Sequence, residues 1–232
     1  RLQPDHLELW CNFAAIQKRA GYFDDSLESW HKAMELNPKS AAARLGLGST
    51  KLDQKQYREA RHWLEKAIEI APDSVEARGN LALAALGESN FSEAMKHFEL
   101  QPESWRLSPQ GSEIHADILD GMGREALSSG EFNHAEELIR SALEKNPELS
   151  TSWFNLGQVL RVHGDWESAI DAYEKSASYS EGDMSAQIAA WLTLPILYRS
   201  DDEITQVRRQ FQEGLDALVN RFVPASLEDL DA

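Results

Sequence analysis

Two stretches of this chain of 232 residues decide its fold, FDDSLESWHKAMELNP at 23–38 and YREARHWLEKAIEIAP at 57–72. They begin 34 residues apart, and both carry an aromatic first residue, an alanine in the second half (Ala33 and Ala67) and a closing proline. A helix–turn–helix unit of this length cannot bury its apolar face alone, so successive units must stack. The period therefore predicts an all-α protein.

The pattern occurs in five copies, and the predicted fold is a right-handed α-solenoid of five helix pairs with a divergent sixth pair at the C-terminus. Small residues at the helix crossings let two backbones approach closely, and prolines end the second helices. We expect the repeats at residues 4–38, 40–72, 74–102, 113–147 and 149–180 of a repeat domain spanning 1–182. Residues 183–232 then form a capping helix pair and an acidic tail.

The spacing changes once, because Ala94 and Ala135 lie 41 residues apart, seven more than the period. The stretch 99–112 contains two prolines, a glycine and three serines, so we predict an inserted loop there. Its Trp105 and Arg106 are residue types common in binding hot spots and form a candidate secondary interaction site. The alternative is that Trp105 packs against a neighbouring helix.

The last part of the chain departs from the repeat pattern. The apolar stretch 186–198 has 13 residues, whereas a bilayer-spanning helix needs about 20, so a buried helix that Pro195 ends or kinks is expected. A second helix is predicted from Ser200 onward. Its apolar face comprises Ile204, Val207, Phe211, Leu215, Leu218 and Phe222.

The amino-acid composition limits the classes of partner that the chain is expected to bind. A net charge of -16 argues against nucleic acid, which requires a basic surface, and favours a basic or neutral protein partner. The single cysteine, Cys11, excludes an internal disulfide and indicates a reducing compartment, for which we expect the cytoplasm. Because the chain begins with Arg1 rather than methionine, we expect it to be a fragment.

No catalytic constellation is evident in the sequence, so we predict a non-enzymatic chain without metal or cofactor. The seven histidines form no HxxxH or HExxH pair, and one cysteine makes a zinc site improbable. Gly121 and Gly123 resemble part of a dinucleotide-binding fingerprint, but Gly123 falls in phase with glycines of repeat helices.

The first helix of each unit is expected to line a concave groove, and an asparagine recurs there at one phase: Asn12, Asn80 and Asn155. An amide side chain both donates and accepts hydrogen bonds, so a row of them can bind the backbone of an extended peptide. Gly46 and Gly121 interrupt the row, and the alternative is that these asparagines cap or solvate helices. The other groove candidates are Leu45, Ser49, Leu83, Arg124, Phe154, Gln158 and Arg161.

The five copies resemble tetratricopeptide repeats, and the recurring asparagines resemble the ladder in O-linked N-acetylglucosamine transferases. The segment LPILYRSDDEI at 194–204, followed by TQVRRQFQEGL at 205–215, is similar to the stretch that precedes the catalytic domain in bacterial SPINDLY-type members. The resemblance implies a substrate-recruiting N-terminal arm of a larger glycosyltransferase, with a catalytic domain after Ala232. The alternative is a free-standing adaptor or assembly scaffold.

Overall fold

The computed structural model describes residues 6–180, 184–194 and 200–222. These residues form thirteen α-helices, α1–α13 in chain order, and no strand, which confirms the all-α fold class. The helices are α1 (Leu7–Arg19), α2 (Phe23–Leu36), α3 (Ala41–Asp53), α4 (Tyr57–Ile70), α5 (Val75–Gly87), α6 (Phe91–Glu99), α7 (Glu103–Arg106), α8 (Pro109–Ser128), α9 (Phe132–Lys145), α10 (Ser150–Val162), α11 (Trp166–Tyr179), α12 (Ser185–Leu192) and α13 (Asp201–Phe222).

The chain divides into two compact units, Arg1–Gly121 and Met122–Ala232. In the first unit α1 pairs with α2, α3 with α4 and α5 with α6, and each pair packs on the next. In the second unit α9, α10, α11, α12 and α13 pack in succession. No helix within the described ranges is both long and apolar enough to cross a membrane.

Local sequence explains where the helices begin and end. The turn inside a repeat has a residue with positive φ at the same phase, namely Gly21, Lys55, Ser89, Gly130 and Gly164, at φ 82°, 59°, 58°, 78° and 81°. Glycine adopts this left-handed conformation without a steric penalty, which explains its use at three of the five turns. Serines cap two first helices. The Ser40 hydroxyl accepts a hydrogen bond from the backbone N–H group of Ala43, and the Ser74 hydroxyl accepts one from that of Ala77.

The seven extra residues lie in α8 rather than in a loop at 99–112. Ser108, which lies 34 residues after Ser74, accepts a hydrogen bond from the Gly111 N–H group at 3.1 Å, so the period continues through this stretch. α8 has 20 residues, whereas α1, α3, α5 and α10 have 13 each. Two added helical turns take about seven residues, so the excess is accommodated as helix.

Close backbone approach at glycines holds neighbouring helices together. The ring of Tyr173 lies 2.6 Å from the place of a Cβ atom at Gly157, and the Leu64 side chain lies equally close to that of Gly48. Gly123 is inside α8, where the Ile139 side chain packs on it, so it opens no strand–turn–helix motif of a nucleotide site.

The last helix pair also follows the prediction in outline. α12 ends at Leu192, and Thr193 is extended with its hydroxyl donating to the Ala189 carbonyl at 2.7 Å. Pro195 and the side chain of Phe222 lie outside the described residues. On α13, Val207 is buried, whereas Ile204, Phe211, Leu215 and Leu218 are half-buried. Gly214, which the predicted face did not include, is buried against Trp191 of α12.

Candidate functional site

A pocket of about 290 Å³ lies entirely within the second unit, where it is formed by α8, α10, α11 and α12. Three predicted groove residues, Arg124, Phe154 and Asn155, line it together. The remaining lining residues are Ser150, Thr151, Ser176, Ser180, Ser185 and Ala186. The pocket therefore combines one cationic group, one amide, one aromatic ring and several hydroxyl groups.

Packing from behind fixes the walls of the pocket. The ring centroids of Phe154 and Tyr173 lie 5.4 Å apart. Tyr173 is 2 % exposed and packs against Gly157. The Ser176 hydroxyl donates to the Ser150 carbonyl at 2.8 Å and so joins α11 to the start of α10. Asn155 is only 7 % exposed, so its amide is held in place at the floor of the pocket.

The two other candidates on α10 lie beyond the pocket. Burial raises the pKa of the Tyr173 hydroxyl, and the neighbouring Arg161 guanidinium partly offsets this by attracting the charged form and by hydrogen bonding. Arg161 therefore contacts the Tyr173 hydroxyl, although the residue itself is exposed. Gln158 is half-buried and does not line the pocket.

In the first unit two of the candidates take part in packing and polar contacts. Leu45 packs against the core cluster that contains Leu64 and Leu81. The Ser49 hydroxyl accepts a hydrogen bond from Lys18 Nζ at 3.2 Å, and the same ammonium group lies 3.4 Å from Asp53. Asn12 is exposed, and Asn80 and Leu83 are half-buried.

Gly46 and Gly121 occupy the same position of the repeat as the three asparagines, and their contacts show which way this position faces. The Trp30 ring of α2 occupies the space next to Gly46, and the Phe91 ring of α6 occupies the space next to Gly121. In α3 the position therefore faces the second helix of the preceding repeat rather than an open groove. The asparagine ladder stays a prediction, and Asn155 lines the pocket of the second unit.

The secondary candidates Trp105 and Arg106 both lie on α7. The Trp105 ring packs against Gly79 and lies 6.1 Å from the Phe98 ring, and both Trp105 and Arg106 are half-buried. A hydrogen bond of 2.8 Å from the Gln101 amide to the Val75 carbonyl holds the same segment against α5. These contacts support the packing alternative for Trp105.

Sequence reasoning missed the hydroxyl groups of the pocket. Thr151 lies one helical turn before Phe154 and Asn155 on α10, so helical spacing could have identified it. Ser176, Ser180 and Ser185 come from α11, the turn after it and α12, and no spacing rule connects them to α10. Within the described ranges, no three His, Cys, Asp or Glu residues come together as a potential metal site.

Comparison with known proteins agrees with this architecture. A family model described as tetratricopeptide repeat matches residues 14–75 and 121–185, and a second model with the same description matches 51–118. The chain belongs to the tetratricopeptide repeat family. It is thus a protein–protein interaction module.

Among curated relatives, the chain is 25 % identical over 170 residues to the peroxisomal targeting signal receptor of Komagataella phaffii. It is 20 % identical over 176 residues to human protein O-mannosyl-transferase TMTC1. These matches cover 72 % and 75 % of this chain but only 29 % and 20 % of those proteins. The chain therefore spans less than a third of the length of either relative.

Solved structures share the tetratricopeptide fold at low identity. YrrB, whose structure is described as a tetratricopeptide protein with an unusual peptide-binding site, is 19 % identical with a TM-score of 0.62 over 82 % of this chain and 94 % of its own. PilF of Pseudomonas aeruginosa is 15 % identical with a TM-score of 0.62 over 97 % of this chain and 95 % of its own. These likenesses show the fold.

Proposed function

We propose that the second unit binds an extended polypeptide segment in the pocket formed by α8, α10, α11 and α12. The observation that carries the proposal is the convergence of Arg124, Phe154 and Asn155, three residues predicted from sequence to face a ligand, in one pocket. The relatives named as targeting signal receptors and the peptide-binding site of YrrB support a polypeptide as the first class of ligand to test.

The chemistry of the pocket suits a polypeptide backbone. An extended chain presents N–H and C=O groups in alternation, and hydroxyl and amide side chains can pair with both. The Phe154 ring offers an apolar surface to a ligand side chain, and the Arg124 guanidinium offers donors to a carbonyl or a carboxylate. Most of these contacts would be to the backbone, so we expect broad sequence tolerance.

A direct test is to screen the whole chain against an array of short unstructured peptides and to measure the affinity of the best binders by fluorescence anisotropy. Arg124→Ala and Thr151→Ala change exposed side chains of the pocket, so each should weaken binding about fivefold, the loss of about 1 kcal/mol of net hydrogen bonding, without unfolding the chain. Glu144→Ala, on the exposed surface of α9, is the matched control. Wild-type affinity in both pocket variants would disprove the proposal.

Attachment to a glycosyltransferase is the finer form of this proposal, and it comes from the sequence resemblance of residues 194–215. The chain matches 20 % of the length of a protein named as a mannosyl-transferase, so a larger enzyme surrounding a repeat segment of this kind is compatible with the comparisons. A free-standing adaptor is the alternative. The reading frame downstream of Ala232 distinguishes the two, since only the first predicts a catalytic domain there.

We further propose that the chain itself is not an enzyme and works in the cytoplasm. The lone Cys11 supports a reducing compartment. Calorimetry with UDP-sugars tests the first part, because an arm that only recruits substrate should give no binding isotherm. Saturable binding of a UDP-sugar would place nucleotide-sugar chemistry in this chain and contradict the proposal.

A further inference from the structure

The outer face of α1 carries an apolar stripe that is open to solvent. Leu9, Phe13 and Ile16 lie on one side of the helix, at spacings of four and three residues, and are 39 %, 38 % and 57 % exposed. Large apolar side chains that form a contiguous exposed stripe indicate a contact surface.

The equivalent positions of α3, α5 and α10 are buried. Three such triplets lie at the same phase of the repeat, and no member is more than 3 % exposed. They are Ala43, Leu47 and Thr50 on α3, Ala77, Leu81 and Ala84 on α5, and Ser152, Leu156 and Val159 on α10.

In each case the second helix of the preceding repeat covers the triplet. Ala43 and Leu47 form a core cluster with Trp30 and Ala33 of α2, and the Thr50 hydroxyl lies 3.4 Å from the Ser26 hydroxyl of the same helix. Leu81 clusters with Leu64 of α4 in the same way, and Leu156 and Val159 cluster with Ile139 of α9. In all three cases, the element that packs on this face is the second helix of a repeat.

The sequence before α1 repeats the residue pattern that closes such an element. Leu2-Gln3-Pro4 lies 34 residues before Leu36-Asn37-Pro38, the segment in which the second helix of the first repeat ends. Residues 2–4 lie outside the described residues, and the match is one of sequence phase. In a stacked repeat array, a second helix that ends with this pattern packs on the first helix that follows it.

We infer that the outer face of α1 is a docking surface for an amphipathic helix of the same repeat type, joined directly to Leu2 in the same polypeptide. This helix carries a small residue 34 positions before Ala33 and a large apolar residue 34 positions before Trp30, because these two residues are the ones that cover α3.

The test compares the chain of 232 residues with the polypeptide translated from the natural gene together with the residues upstream of Arg1. Both carry Cys11→Ser, which removes the single native cysteine, and Ile16→Cys as a reporter on the open stripe. We expect thiol labelling at this position to be at least about tenfold slower in the longer polypeptide, because a docked helix must open before the reagent enters. Glu28→Cys, exposed on α2, is the control and should be labelled equally fast in both.

Three outcomes would overturn the inference. Equal labelling of the Ile16→Cys variant in both polypeptides would show that nothing upstream covers α1. A reading frame that lacks the small and large apolar residues at the stated positions would remove the proposed helix. Protection in the 232-residue chain that increases with its concentration would identify a second copy of the chain as the occupant.

Discussion

The indole ring of Trp30 lies directly against Gly46, in the space that any Cβ atom at this position would need. Trp30 belongs to α2 and Gly46 to α3, so the contact joins two consecutive repeats. Trp30 is 7 % exposed, and the contact therefore forms part of the core of the first unit.

Replacing Gly46 by alanine should destabilise the chain by about 2 kcal/mol, because the added methyl group must displace the Trp30 ring in a packed core. In a helix without such a neighbour the same change would stabilise by about 1 kcal/mol, so the sign of the effect is informative. Urea unfolding followed by circular dichroism measures it. In a Trp30→Leu background the penalty should disappear, and a Gly46→Ala chain that is more stable than the wild type would contradict the prediction.

The contact of α13 with α12 can be tested with two identical substitutions on one helix. Val207 is 3 % exposed and Val219 is 53 % exposed. Val207→Ala should lower the free energy of unfolding by about 2 kcal/mol through lost burial and a residual cavity, whereas Val219→Ala should have little effect. Equal effects in thermal unfolding would mean that α13 does not close the second unit through this face.

Asp117 on α8 should make the first unit less stable as the pH rises. Partial desolvation of the carboxyl group, and then the negative charges of Glu113 and Asp120, raise the pKa of Asp117 to about 6. The unfolded chain releases this proton near its ordinary pKa, so stability falls between about pH 4 and pH 6 and is constant above that window.

Asp117→Asn should therefore stabilise the chain at neutral pH but not near pH 4. The side chain keeps solvent access, so water screens the charge and the gain should stay below about 1 kcal/mol. Urea unfolding of both proteins across this pH range is the measurement, with Asp171→Asn on the exposed surface of α11 as the control. A gain that does not change with pH would exclude the raised pKa as its cause.

The start of α8 depends on the Ser108 cap. Ser108→Ala removes the acceptor of the Gly111 N–H group and should cost about 1 kcal/mol, similar to Ser74→Ala at the start of α5. Ser104→Ala changes an exposed serine four residues earlier and serves as the control. If Ser108→Ala is as mild as Ser104→Ala in urea unfolding, the cap does not set the beginning of this helix.

The repeat period predicted the helix pairs well, because glycine, alanine and proline positions follow directly from helix crossings and helix ends. It misplaced the seven extra residues, since the prolines and serines of 99–112 are typical of a loop. Ser40, Ser74 and Ser108 follow one another at intervals of 34 residues, and each caps the beginning of a first helix. This spacing indicates that the seven extra residues come after Ser108.

The candidate site was harder to predict than the fold. Spacing along one helix predicts that Phe154 and Asn155 share a surface, and both line one pocket with Arg124 from another helix. Spacing could not reveal that Trp30 covers the asparagine phase at Gly46, because that contact depends on the size of a side chain in the preceding repeat. Nor could it connect Ser180 and Ser185, which reach the pocket through the packing of α11 and α12.

The length of α8 also bears on how such a chain can change during evolution. Seven residues of helix turn the chain by about 700° around the helix axis, only about 20° short of two full revolutions. Apolar side chains beyond the added turns therefore stay on the same face of the helix. Ala116 and Gly123, seven positions apart, are accordingly both buried. A single-residue insertion would turn every following side chain by about 100°, so heptads are the increments in which this helix can gain or lose length.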